Sequence, residues 1–233
     1  GEAVTIPNMD SAFEGQISKI SAEIREDGTL VMKEKTFPKG NTDQSLRTLK
    51  SMRAEEIQRA FQQTIHHEFP GGVLKKVEIK NLSDLCKPLE VICEYEVPKF
   101  ALKSGEDLLV VPVPVSKSEY SAAEVGVENR RTDLTWPSFL KTEGELVLKL
   151  PKGFVPYALP KGIFAQARGM YYFSSCGFEV DRVVFREVLE RNLRDLPAKE
   201  YKDFKKFIED RSQMANQWII VKKSKGKDES SKE

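Results

Sequence analysis

Between Leu89 and Val97 apolar and charged residues alternate: Leu89, Val91, Cys93, Tyr95 and Val97 fall on one side, and Glu90, Glu94 and Glu96 on the other. A period of two belongs to a β-strand with one buried and one wet face. Such a strand needs ladder partners and a cover for its apolar side, so a chain that contains it has to supply further strands.

It does so on both sides. Ile20, Ala22 and Ile24 alternate with polar neighbours, Glu26-Asp27-Gly28 provides turn chemistry, and Leu30 and Met32 resume, which predicts a β-hairpin ending near Pro38 and Gly40. After a polar stretch the period changes. From Ser51, an N-cap residue type, Ile57, Phe61, Ile65 and Phe69 follow the i, i+4 spacing of one helical face, and Pro70-Gly71-Gly72 stops it. Val73, Val77 and Ile79 precede the Leu89 strand. The apolar run Leu108 to Val115 follows it, interrupted by Pro112 and Pro114, which lack ladder donors and so point to a place along an edge or between subdomains, with the edge near Val110 to Val115 a candidate to accept a strand from another chain. Ser116 to Val127 is small, polar and weakly patterned, as a linker is. Beyond it come Leu146, Leu148 and Leu150, then Phe154 to Leu159, Ile163 to Phe173, and a long strand from Phe178 to Leu193. Pro197 opens a second helix with Tyr201, Phe204, Ile208 and Ala215 along one side, and Trp218 to Val221 forms a last strand.

These patterns predict a mainly β, sandwich-like antiparallel fold with two α-helices, arranged as subdomains near 11–115 and 128–222. The residues from 223 to 233 carry no apolar anchor, which predicts a disordered tail.

Charge is balanced, with 37 Lys and Arg against 36 Asp and Glu in 233 residues, so no basic excess of the kind nucleic acid selects is present. No apolar run reaches the roughly 20 residues of a membrane-spanning helix. Cys86, Cys93 and Cys176 cannot all pair within one chain, although a Cys86–Cys93 bridge is compatible with export.

Reactive constellations are scarce. His66 and His67 are adjacent, so on a helix they point about 100° apart and do not form the i, i+4 pair that shares a metal ion. Phosphate-binding glycine loops, a nucleophile elbow and a calcium loop are all missing from the sequence. A cysteine hydrolase would have to bring Cys176 to His66 or His67, whereas Cys93 alternates with core residues and reads as a small hydrophobe. Carboxylates are plentiful, but acid–base work needs two of them at a fixed separation. The reading is therefore a non-catalytic chain without cofactor or metal. Trp136, Tyr157, Tyr171 and Tyr172 are the candidate stacking residues should it bind a glycan.

Several segments, in order, resemble the domain of unknown function that follows the catalytic core in bacterial transglutaminase-like proteins. They are Ile6-Pro7-Asn8, the Asp27-Gly28 hairpin, Pro38-Lys39-Gly40 and Leu46-Arg47. Further along are Asn129-Arg130-Arg131-Thr132-Asp133-Leu134, Leu150-Pro151-Lys152-Gly153-Phe154, Leu159-Pro160, Tyr171-Tyr172, Leu196-Pro197 and Trp218-Ile219-Ile220-Val221. The resemblance implies an accessory region of an exported protein, periplasmic or extracellular, whose Cys-His-Asp core would lie upstream. Expected partners are that core, a peptide or a glycan. A stand-alone glycan- or peptide-binding sandwich is the alternative.

Overall fold

The computed structural model describes residues 11–113 and 125–224. In chain order the N-terminal half contributes β1 (Gly15–Ile24), β2 (Leu30–Lys39), α1 (Gly40–Arg47), α2 (Ala54–Glu68), β3 (Val73–Lys80), β4 (Glu90–Val97), β5 (Leu102–Ser104) and β6 (Leu108–Pro112). The C-terminal half contributes β7 (Leu134–Thr135), β8 (Leu140–Lys149), β9 (Phe154–Ala158), β10 (Ile163–Ala167), β11 (Met170–Glu179), β12 (Arg182–Arg191), β13 (Asp195–Leu196), α3 (Tyr201–Ser212) and β14 (Trp218–Lys223). The fold is mainly β, as the alternating patterns predict.

An eight-stranded sheet runs β10-β11-β12-β8-β1-β2-β4-β3, and a four-stranded sheet runs β5-β6-β14-β9. Pairing is antiparallel except between β1 and β8. The two halves of the chain interleave, because β1 pairs with β8 and β6 with β14. Side chains of the smaller sheet, among them Leu109, Val111, Ile219 and Val221, join those of the larger one (Ile24, Leu30, Leu148, Val183) and Ile65 of α2 in a first core. This makes the molecule sandwich-like. A second core lies at the other end of the larger sheet, where α3 buries Tyr201, Phe204 and Phe207 against Tyr172, Leu189 and Trp136. The opposite face of the large sheet carries cross-strand ion pairs such as Lys33–Glu94 at 2.7 Å and Arg186–Glu145 at 2.8 Å, which suits a wet surface.

Local chemistry explains the elements. The β1–β2 hairpin closes where predicted: Gly28 takes φ +88°, and the Thr29 amide donates to the Asp27 carboxylate at 2.8 Å. Helix α2 turns the predicted face inward, with Ile65 buried and Ile57 and Phe61 partly buried, but starts at Ala54 rather than Ser51, with the Arg53 amide donating to the Glu56 carboxylate at 2.9 Å.

Four expectations need correction. The polar stretch after Gly40 holds a further helix, α1, so three helices occur among the described residues. No residue of α1 is buried, but the Arg47 guanidinium donates to the carbonyls of Asn81, Asp84 and Lys87, which anchors the helix to a distant loop. The long strand from Phe178 is two strands, because Val180 turns at φ +61° with 98% of its surface exposed. The run from Leu108 is an interior strand with β5 and β14 on its two sides, and Pro112 sits only at its last position. Among the described residues β5 pairs with Leu108 to Val110 only, Val111 and Pro112 pair with β14 alone, and residues 114 and 115 lie outside the described residues. Finally, all three cysteines are free, with Cys93 buried and Cys86 exposed. The predicted disordered tail beyond Ser224, and most of the predicted linker, also lie outside the described residues.

Candidate functional site

Register decides where the core-facing side chains of the large sheet meet. Thr36 of β2 is paired with Ser18 of β1, Ser18 with Gly144 of β8, Gly144 with Glu187 of β12, and Glu187 with Ser174 of β11. These five residues form a band across five neighbouring strands. On a sheet face that packs a core, such positions ordinarily go to apolar residues. Here the band carries hydroxyls, a carboxylate and a glycine, and it runs between the two cores.

Four of the band's residues, Thr36, Ser18, Gly144 and Glu187, are the floor of a groove of about 720 Å³, while Ser174 is buried beyond its end with its hydroxyl accepting from the Ile163 amide. Phe61 and Ile65 of α2 and Phe69 just past its C-terminus form one wall. Ile208 and Arg211 of α3, with Met214 just beyond it, form the other, and Phe100 and Val113 overhang from the smaller sheet's side. Phe69 stacks at 5.8 Å from Tyr95 and meets Phe100 edge-on at 5.9 Å, which stiffens the first wall. Gly144 keeps the middle of the floor low, since a Cβ there would stand 3.3 Å from the Glu187 side chain.

Two acidic positions organise the polar groups. Glu34, half-buried one row from the band, accepts a hydrogen bond from Thr36 Oγ1 at 3.2 Å, and Thr36 Oγ1 lies 3.3 Å from Ser18 Oγ. Burial, and then the Glu68 carboxylate at the end of α2, hold the Glu34 carboxyl above its ordinary range, while hydrogen bonds from Thr36, Ser18 and Tyr95 pull the other way. Burial and the same carboxylates push the Cys93 thiol up to about 12 and raise the Tyr95 hydroxyl. At the other end, Tyr172 donates its hydroxyl to Glu187 Oε2 at 3.2 Å, and Arg211 lies over the Tyr172 ring at 5.4 Å. The groove thus offers apolar walls, hydroxyl donors and acceptors, and anionic positions. This combination suits an extended ligand with apolar and cationic side chains.

The stacking candidates are not brought together. Trp136 is 7% exposed, edge-on to Phe204 and under Arg191, and Tyr172 is 1% exposed with its hydroxyl engaged in the groove. Tyr171 lies on the opposite sheet face from Tyr172, edge-on to Phe164, and Tyr157 is exposed on the smaller sheet beside Lys222. Cys176 is half-buried in β11, and burial pushes its thiol up to about 11, while His66 and His67 are exposed on α2. Among the described residues no group of three His, Cys, Asp or Glu side chains is placed to hold a metal ion, and no helix is long and apolar enough to cross a membrane. The polar band escapes sequence reasoning because Ser18, Thr36, Gly144, Glu187 and Ser174 belong to five separate strands. Each lies in a short polar interval of an otherwise apolar face, as Gln16 with Ser18 and Glu34 with Thr36 do, and that interval is the signal available.

No protein-family model and no curated protein matches the chain. Among solved structures, a candidate protease from Parabacteroides distasonis ATCC 8503 aligns with a TM-score of 0.42 and 12% identity. The alignment covers 51% of this chain and 24% of that one, so the chain spans about a quarter of its length. A likeness this shallow carries no functional argument.

Proposed function

We propose that this chain is a non-catalytic recognition region, accessory to the core of an exported bacterial transglutaminase-like protein, and that its groove binds an extended polypeptide segment from that core or from another protein. One observation carries the reading: the band Thr36–Ser18–Gly144–Glu187–Ser174, where a core-facing row gives up apolar packing for hydrogen-bonding groups. Leaving such a row polar costs packing energy, which a bound ligand offsets. Thiols pushed to about 12 and about 11 are poor nucleophiles at neutral pH, which supports a role in recognition rather than covalent catalysis. The scattering of Trp136, Tyr157, Tyr171 and Tyr172 favours a peptide over a stacked sugar.

The peptide reading is tested by fluorescence anisotropy with labelled peptides of alternating leucine and lysine, alongside acidic peptides and neutral oligosaccharides. Binding of the lysine peptides, weakened at least about tenfold (about 1.4 kcal/mol) by Gly144→Leu, is the expected result. Binding confined to oligosaccharides would replace it with the stand-alone glycan module. The accessory role is tested separately by the coding sequence upstream of Gly1, where a Cys, His and Asp set of the transglutaminase type is expected and its absence would overturn that part.

A further inference from the structure

The two edges of the eight-stranded sheet differ in chemistry. Strand β3 carries Lys75, Lys76, Glu78 and Lys80, three of them lysines, and these form ion pairs along its length. Charged edges of this kind block pairing with other chains. Strand β10 reads Ile163-Phe164-Ala165-Gln166-Ala167, with no charge and no proline. It is the other terminal strand of the sheet, and among the described residues β11 is the one strand paired with it. Outward from the same end, Phe164 is 64% exposed and Phe173, its cross-strand neighbour, 40%, and Tyr171 meets Phe164 edge-on at 5.8 Å. An uncharged edge next to an exposed aromatic cluster is the combination natural proteins avoid unless something pairs with it.

The hairpin geometry says which atoms are offered. Ala167 and Met170 close a two-residue turn, with Gly169 at φ +58°. Amides therefore alternate: those of Ala165 and Ala167 face β11, and those of Phe164 and Gln166 face outward with their carbonyls.

We propose that β10 is a dimerisation edge at which a second copy of this chain adds its own β10 in antiparallel register about a twofold axis at Ala165. A strand is the occupant because the offered groups are a row of backbone donors and acceptors, which only an extended backbone satisfies in full. A second copy is favoured because the segment complements itself. Its pairing sets Phe164 opposite Gln166 of the second copy, and Ala165, whose small side chain is buried at 3% under α3, opposite its own equivalent. No charge meets its like within the paired strands, and a net charge of +1 adds little long-range repulsion. Diagonal neighbours across such a pair stand roughly 7–8 Å apart, so the Phe164 rings of the two copies join one apolar patch. The groove lies on the opposite face of the sheet, so this inference is independent of the peptide reading.

Sedimentation equilibrium of the 233-residue chain over a wide concentration series tests it. The expected result is a mass rising from 26.5 kDa toward twice that value. Gln166→Pro removes one outward donor and leaves the β10–β11 ladder intact, and Phe164→Lys charges an exposed position. Both should hold the mass at that of one chain, and the second variant reads the effect without touching the backbone. A wild-type chain monomeric at every concentration, or a dimer that both variants leave intact, would overturn the proposal.

Discussion

The Phe204→Ala substitution in α3 measures how much the second core contributes to the whole fold. Phe204 is 0% exposed, 5.6 Å from Trp136 in an edge-on arrangement and 6.2 Å from Tyr201. Removing a fully buried phenylalanine costs about 3–5 kcal/mol, and the two ring contacts place this site toward the upper end of that range. For a chain of this size each kilocalorie lowers Tm by about 2–4 °C, so a loss of about 4 kcal/mol shifts Tm by about 8–16 °C. The second core packs on β11 and β12, which continue through β8 and β1 into the sheet that carries the first core. The loss should therefore appear in one cooperative transition. Urea denaturation followed by circular dichroism and tryptophan fluorescence is the assay, with Leu85→Ala, 81% exposed, as a control expected within about 0.5 kcal/mol. A Phe204→Ala loss under about 1.5 kcal/mol, or two transitions that separate by probe, would refute the reasoning.

Two further predictions concern the groove. Because burial holds the Glu34 carboxyl above its ordinary value of 4.5, its ionisation in the folded state opposes folding. The stability that the protonated form retains is fully present below about 4.5 and is lost as pH rises through the elevated folded value. Glu34→Gln should accordingly exceed wild type in Tm at pH 8 and match it near pH 4, and an equal gap at both pH values would count against the argument. Thiol titration with a chromogenic disulfide should find Cys86 reacting quickly in the folded protein, with Cys93 and Cys176 slow until denaturant is added. Fast reaction of two thiols at neutral pH would contradict the burial described.

Much of the fold is local and therefore legible in the sequence. Alternation from Leu89 to Val97 demands a half-buried strand, Asp27-Gly28 demands a turn, and the Phe61, Ile65, Phe69 spacing demands a helix packed on one side, because each depends only on a residue and its near neighbours. Helix α1 lacks such a signal, since the carbonyls that receive its Arg47 lie 34 to 40 residues away. Val180 reads as one more β-branched strand residue, and only the pairing of β11 with β12 turns it into the exposed corner of a hairpin.

The candidate site was the least legible part, for the same reason carried further. The sequence patterns leave Ser18 and Thr36 at the margins of the predicted hairpin and Glu187 inside the long strand from Phe178, and they assign these residues no common place. Register across four strands, including the parallel pairing of β1 with β8 across more than a hundred residues, lines them up with Gly144 into one floor. A polar break in a single strand is only a local cost. Several such positions in one row form a surface, and that row exists only once long-range backbone pairing has set the strands side by side.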